Sequence, residues 1–430
     1  MRCVVVVVAL AGCHADAKQP AVADASHDAA RDRDAAPDTV VRGPITVTVY
    51  GDGVDGRQAS PVKGADVYFV EPGDVVTKLI TGMDGVAVAQ EPNDTTVWVV
   101  HHDSSSSYFV ETFEGAMIGD SLVSGNPTPL PANTIEGNVY LSRQAFGDAS
   151  LYHLALSCTT GTQTSGNPIS AGFVACAQET AANGIVWATD SSGNLGYTTA
   201  TGVNLTAHTS PATEVVLPAF QAASTIGLTF TNLPSTMGES SAQMYARYRL
   251  GADLTALQEV PINEGTLTDT MTTSVAIAPF GDHTQVFGQV YIAANAYEYN
   301  YDMTAAALLS SVTIDASAMV HPVATWTYDS GTSSITWTQD PFGVDPTILK
   351  SYLHVNNGND VSWNLYAPYS GSASLAMPTI PTDLASLLPS PQDATYAQLD
   401  LTAYAGKTYH DALVGQTAGA ASWRIGILKR

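Results

Sequence analysis

The chain has little positive charge. Only 16 of its 430 residues are Lys or Arg, against 40 Asp or Glu, and the formal charge at pH 7 is −24. A surface that binds duplex nucleic acid displaces phosphate counterions with clustered basic side chains. No such cluster occurs, so nucleic acid is not an expected partner. Charged residues of both signs together make up just 13%. No apolar run approaches the roughly twenty residues that a membrane-spanning helix needs. The G-x-S-x-G, H-E-x-x-H and P-loop spacings are missing as well, and the chain is not expected to be an enzyme. The enzymatic alternative is a secreted-type hydrolase with a dispersed Ser, His and carboxylate triad, which geometry and not spacing would reveal. Cysteine is scarce, with four residues in all, at positions 3, 13, 158 and 176.

What is present begins at the N-terminus. Arg2 precedes an apolar run from Val4 to Leu10, which ends in Leu10-Ala11-Gly12-Cys13. A basic start, a short apolar stretch and small residues before a cut are the parts of a signal peptide. The four-residue ending resembles the lipobox of bacterial lipoproteins. The resemblance implies that residues 1–12 are removed and that Cys13 becomes a lipidated N-terminus. His14, where an Asp would favour the inner membrane, implies the outer membrane or cell surface. One acyl chain binds a bilayer only marginally, whereas two or more anchor it stably. Residues 13–43 are rich in Ala and Asp, cannot bury a core, and are expected to be a disordered tether. The acidic body should be repelled by anionic headgroups and held away from the bilayer. With Cys3 lost and Cys13 lipidated, Cys158 and Cys176 are left as an even pair in an exported chain. A disulfide is expected between them, worth about 3 kcal/mol in the chain-entropy description.

From Pro44 the pattern changes to strands. Ile45, Val47 and Val49 alternate with Thr46, Thr48 and Tyr50, as in a half-buried strand. Pro61-Val62-Lys63-Gly64-Ala65-Asp66-Val67 follows, then Asp84-Gly85 between two further alternating segments. This order resembles the carboxypeptidase regulatory-like domain, a transthyretin-like β-sandwich and a non-catalytic accessory in its family. Gly82 stands where that family usually has Asp. The resemblance assigns residues 44–102 to this module, with Asp84-Gly85 as a hairpin turn favoured by glycine's tolerance of positive φ. Residues 103–134, with Ser104 to Ser107 and a Pro127, Pro129, Pro131 series, read as connecting loops.

Beyond Ile135, short alternating segments separated by turns indicate further sandwiches. Residues 135–320 are expected to form one β-sandwich and residues 321–430 a C-terminal one. The fold class is therefore all-β, with tandem β-sandwich domains after the tether.

Three groups of residues are candidate sites. Asp52 and Asp55 lie in the Gly-rich loop Gly51 to Gly56, where calcium could take carboxylate and carbonyl oxygens; a plain Asx-turn is the alternative. His101 and Asp103 share one face of a strand end, short of the ligands a metal needs. Tyr297, Tyr299 and Tyr301 alternate with Glu298, Asn300 and Asp302, so one face of that strand is a tyrosine row. Such a row either meets a ligand, stacking on sugar rings or a protein partner, or packs into a sandwich core. No other cofactor is expected. Together these readings describe a lipid-anchored, non-catalytic surface protein with a binding or structural role in the cell envelope, any ligand being a glycan or a protein.

Overall fold

The computed structural model describes residues 40–51, 60–104, 107–125, 134–156, 162–177, 181–207, 209–233, 240–250, 255–267, 271–292, 297–339, 342–356, 360–385 and 394–429. They form strands almost throughout, with one short α-helix, Tyr409–Leu413. The chain is all-β, built of tandem β-sandwiches.

The first sandwich starts as its sequence pattern requires. In Gly43–Val49, Ile45, Val47 and Val49 are fully buried and the residues between them face outward. This strand pairs antiparallel with Val86–Glu91 and parallel with Ser121–Ser124. Opposite it lie Asp66–Val70, Val76–Ile80, Thr95–Ser104 and Ser107–Ala116. Ile45, Val47, Val67, Phe69, Val97, Val99, Phe113 and Leu122 fill the space between. The Asp84-Gly85 turn is present, with Gly85 at φ +71°. A Cβ there would stand 2.6 Å from the Val49 carbonyl oxygen. The turn does not close a hairpin: Val76–Ile80 and Val86–Glu91 belong to different sheets, so it carries the chain across the sandwich.

Residues 103–134 contain strands where the sequence predicts loops. Ser107–Ala116 and Ser121–Ser124 are both in sheets. The polar/apolar alternation that signals a strand is missing from Ser107–Ala116 because both of its faces are buried. Tyr108 and Val110 enter one core and Phe113 another. Glu111 is buried as well, accepting hydrogen bonds from the Gly125 amide at 3.0 Å and the Tyr366 hydroxyl at 3.1 Å.

Ser107–Ala116 also joins distant parts of the chain. It pairs antiparallel with Thr95–Ser104 and, on its other edge, parallel with Asp360–Ala367. The result is a twelve-stranded sheet running from Val76–Ile80 of the first sandwich to Thr255–Leu267. At the junction Trp98 and Trp363 meet with ring centroids 5.0 Å apart. The Trp363 Nε1 donates to Thr112 Oγ1 at 2.9 Å. The boundaries expected at 102 and 321 are thus bridged by one sheet.

A second sandwich stands within residues 134–222. Ile169–Ala177, Thr134–Ser142 and Val215–Val216 form one sheet, and five strands including Tyr152–Leu156, Ala182–Thr189 and Leu195–Val203 form the other. Val139, Leu141, Leu154, Leu156, Ile169, Phe173 and Val186 make its core. Two small sheets cover one face of the twelve-stranded sheet. One is Met271–Ile277, Ser224–Thr231 and Ser311–Asp315; the other is Val323–Asp329, Ser334–Gln339 and Ser374–Ala376. The core beneath them runs from Ile226 to Ile425 and includes Phe230, Met244, Tyr299, Trp337 and Trp423, crossing the boundary expected near 320.

Two expectations follow. Trp363→Ala removes a buried indole and should lower unfolding free energy by about 3–5 kcal/mol. Thr112→Val leaves the indole N–H buried without its acceptor and should cost about 1–3 kcal/mol. Urea unfolding followed by tryptophan fluorescence checks both. A third expectation concerns pH. Burial raises the carboxyl of Glu114 to about 7 and that of Glu111 above its ordinary range. Both acids therefore hold protons more tightly folded than unfolded. The contribution of Glu114 to stability is full below the ordinary value of 4.5 and is lost as pH rises through about 7, and that of Glu111 changes in the same direction. The urea midpoint should fall across that window. Glu114→Gln should flatten the fall by an amount on the order of 2 kcal/mol.

Candidate functional site

The twelve-stranded sheet is covered unequally. At Asp66–Val70, Thr95–Ser104 and Ser107–Ala116, both faces are buried, by separate cores. Towards the other end, one face lies on the large core, and no described sheet packs over the opposite face. That open face is the candidate site.

Strand register assembles it from five segments distant in sequence. Gln243, Gln289, Asn300, Arg424 and Thr402 stand side by side across Ser240–Leu250, His283–Ile292, Tyr297–Ala305, Ser422–Lys429 and Ala394–Tyr404. Two residues along, Tyr245, Phe287, Asp302, Ser422 and Tyr404 form a second row. Because strand side chains alternate, the residues between them point into the core. Both rows line a hollow of about 440 Å³. A second hollow of about 550 Å³ adjoins it, sharing Asp302, Ser422 and Tyr404 and bounded by His283 and residues 417–420. Together they make one open groove along the sheet. At its floor a Cβ on Gly288 would lie 2.1 Å from the Gln243 carbonyl oxygen, so the backbones approach there as only glycine permits.

The groove has an aromatic and a polar side. Tyr245 and Phe287 stack with centroids 5.6 Å apart and planes 23° from parallel. The Arg247 guanidinium sits 3.8 Å from the Phe287 ring centre, a cation–π contact. Its Nε lies 3.7 Å from Glu259 Oε2. Beside this tier, Arg249 Nη1 donates to Gln285 Oε1 at 3.3 Å, and Gln285 Nε2 donates to Asp302 Oδ2 at 2.7 Å. Burial lowers the Arg249 pKa, with the neighbouring Arg247 charge adding to the effect. Burial raises the Tyr404 phenol, and the nearby positive charge of Arg424 opposes it. Arg424 itself is exposed, with no hydrogen bond or ion pair among the described residues.

Of the two readings of the tyrosine row, a ligand surface or a sandwich core, the core is the one that Tyr299 and Tyr301 take. Tyr299 is 0% exposed and Tyr301 4% exposed, both in the core against Trp423. The cause is the covering sheet on that side, which buries the aromatic face; solvent meets the alternate residues Asn300 and Asp302. Tyr297 opens the same strand. Burial pushes the Tyr301 phenol up to about 12. His101 is buried, its ring 5.0 Å from Phe109. Cys176 lies on the strand Ile169–Ala177. Asp52, Asp55, Cys13 and Cys158 lie outside the described residues. Among the described residues, no three His, Cys, Asp or Glu side chains gather as metal ligands. None of Tyr245, Phe287 and Arg424 was marked by sequence reasoning. Ser240–Leu250 alternates, but nothing local says which of its faces would be left open.

The second hollow brings His283, Asp302 and Ser422 to one place. A nucleophilic serine is activated by a hydrogen bond to its base. Here Ser422 Oγ donates instead to the Asp302 carbonyl oxygen at 3.3 Å, and His283 Nδ1 faces Asp282 Oδ1 at 2.7 Å. The groove as it stands offers stacking, amide hydrogen bonds and a free guanidinium.

No family model matches the chain, and no curated protein matches it. Among solved structures it is similar to the Bacillus anthracis TIE protein, with 11% identity over 64% of this chain and 50% of that one, at a TM-score of 0.16. The chain thus spans about half the length of that relative. It is also similar to BcpA, the major pilin subunit of Bacillus cereus, with 10% identity over 64% of this chain and 98% of that one, at a TM-score of 0.14. Neither likeness is close enough to transfer a function.

Proposed function

We propose that the protein is a non-catalytic lipoprotein of the cell envelope, held at the outer membrane or cell surface by lipid on Cys13, which binds a glycan or protein ligand. The observation that carries the binding role is the open sheet face between Gln243 and Thr402. A sheet face bearing Tyr245, Phe287 and three arginines is left without a covering layer among the described residues, whereas Asp66–Val70, Thr95–Ser104 and Ser107–Ala116 are packed on both sides. Exposed aromatic, amide and arginine side chains gathered in a concave surface are characteristic of recognition sites. The anchor rests on the lipobox resemblance, and the Ala/Asp-rich segment 13–43 serves as its tether. In this reading the first sandwich is a non-catalytic accessory module, as its resemblance to the regulatory-like domain implies. It supports the long sheet that carries the groove.

A Cys13→Ser variant should stay soluble and incorporate no labelled fatty acid, while the unaltered chain is labelled and sediments with membranes. The reverse pattern would end the anchoring proposal. The soluble variant should then score on a glycan array or capture an envelope protein in a pull-down. The hydrolase reading would replace this one if the same protein cleaved a polymer and Ser422→Ala or His283→Ala abolished the cleavage. In the same preparation, mass spectrometry without reduction should find Cys158 and Cys176 joined.

A further inference from the structure

We infer that the groove's ligand is a carboxylate-bearing polysaccharide, a polyuronate chain lying along the open sheet face with its carboxylates on Arg424. The inference rests on reading that face as a binding surface, and it names the ligand class.

Charge is the first argument. In a chain with 16 basic residues and a formal charge of −24, Arg247, Arg249 and Arg424 collect on one sheet face. Among the described arginines, Arg42 is held by Glu71 at 2.6 Å and Arg143 lies over the Tyr152 ring. Arg247 is occupied by Phe287 and Glu259, and Arg249 by Gln285. Arg424 has no hydrogen-bond acceptor in the described structure, yet it stands in the middle of the groove between Asn300 and Thr402. Two carboxylates stand diagonal to it in register, and each accepts from a neighbouring amide: Asp302 from Gln285 at 2.7 Å and Asp400 from Gln398 at 2.8 Å. A guanidinium offers paired N–H donors that match a carboxylate in two parallel bonds. A neutral ligand would cover Arg424 and leave those donors unmet, which is costly.

Shape and lining argue for a sugar polymer over an acidic peptide. The two hollows are continuous and open, so they suit an extended chain. Tyr245 stacks on Phe287, whose ring carries the Arg247 guanidinium, so Tyr245 is the aromatic surface left to pack on the C–H face of a pyranose ring. Gln243, Gln289 and Asn300 form an amide row beside it, able to donate and accept with neighbouring hydroxyls. A protein partner would instead be expected to seat its anchor residue in a desolvated apolar pocket. The groove is shallow and half polar.

The full chain carrying Cys13→Ser tests this by calorimetry with three polymers: polygalacturonate, its fully methyl-esterified form, and poly-glutamate. Polygalacturonate should bind best. Methyl esterification should weaken binding about tenfold, the scale of one lost charge-assisted pair. Raising NaCl should weaken the free acid and leave the ester unchanged. Arg424→Gln should abolish the preference for the acid, Arg424→Lys should restore part of it, and Tyr245→Ala should weaken both forms. Lys63→Gln, the same charge change on the distant first sandwich, should change nothing. Unaltered urea midpoints establish that the variants are folded. Equal binding of acid and ester, an Arg424→Gln variant that keeps the preference, or tighter binding of poly-glutamate would each overturn the inference while leaving a binding role standing. Failure of all three polymers would overturn it too. The binding role itself falls only if the glycan array and the pull-down are also silent.

Discussion

The architecture depends on the parallel pairing of Ser107–Ala116 with Asp360–Ala367. Residues about 250 positions apart are brought edge to edge there, and the contact is sealed by Trp98, Trp363 and the Thr112 hydroxyl. A sheet edge left unpaired exposes a row of backbone donors and acceptors. Here the edge of the first sandwich is satisfied by the last part of the chain. The first sandwich therefore ends on hydrogen bonds supplied by C-terminal strands. The helix Tyr409–Leu413 adds a second tie: Tyr409 donates to the Glu114 carbonyl oxygen at 2.6 Å, and Leu413 enters the first core.

One consequence is an asymmetric sheet. Burial of apolar area is the main favourable term in folding, and it is satisfied on one face along most of the length by the two small covering sheets. The other face is covered only where Gly43–Val49 and its neighbours lie over it. Away from that end, the same rows of side chains change character. Phe113 and Tyr366, stacked at 5.1 Å beside the first core, give way through Lys350 and Asp400 to the open rows around Arg424. Stability and recognition thus occupy different lengths of one sheet, and the groove inherits rigidity from the core behind it.

Much of the local structure was legible. Ile45, Val47 and Val49 face inward as their alternation requires, and Asp84-Gly85 is a turn. The shortfalls have physical causes. Ser107–Ala116 has no polar face, so it lacks the period-two signature. The Asp84-Gly85 turn reads the same whether it closes a hairpin or carries the chain between sheets, because the local backbone requirement is the same. The tyrosines at 299 and 301 are amphipathic, equally suited to a core and to a ligand surface. Alternation shows that they share a face, and only the sheet packed above them decides that the face is buried.

By itself the sequence determined the all-β class, the strand faces and the scarcity of basic charge, because these depend on nearest-neighbour periodicity and composition. The tertiary structure decided which face of each strand is covered and which of the few arginines come together. Arg247 and Arg424 are far apart along the chain and stand on the same face of one sheet. Long-range strand order sets that proximity, and it has no local signature in the residues that it joins.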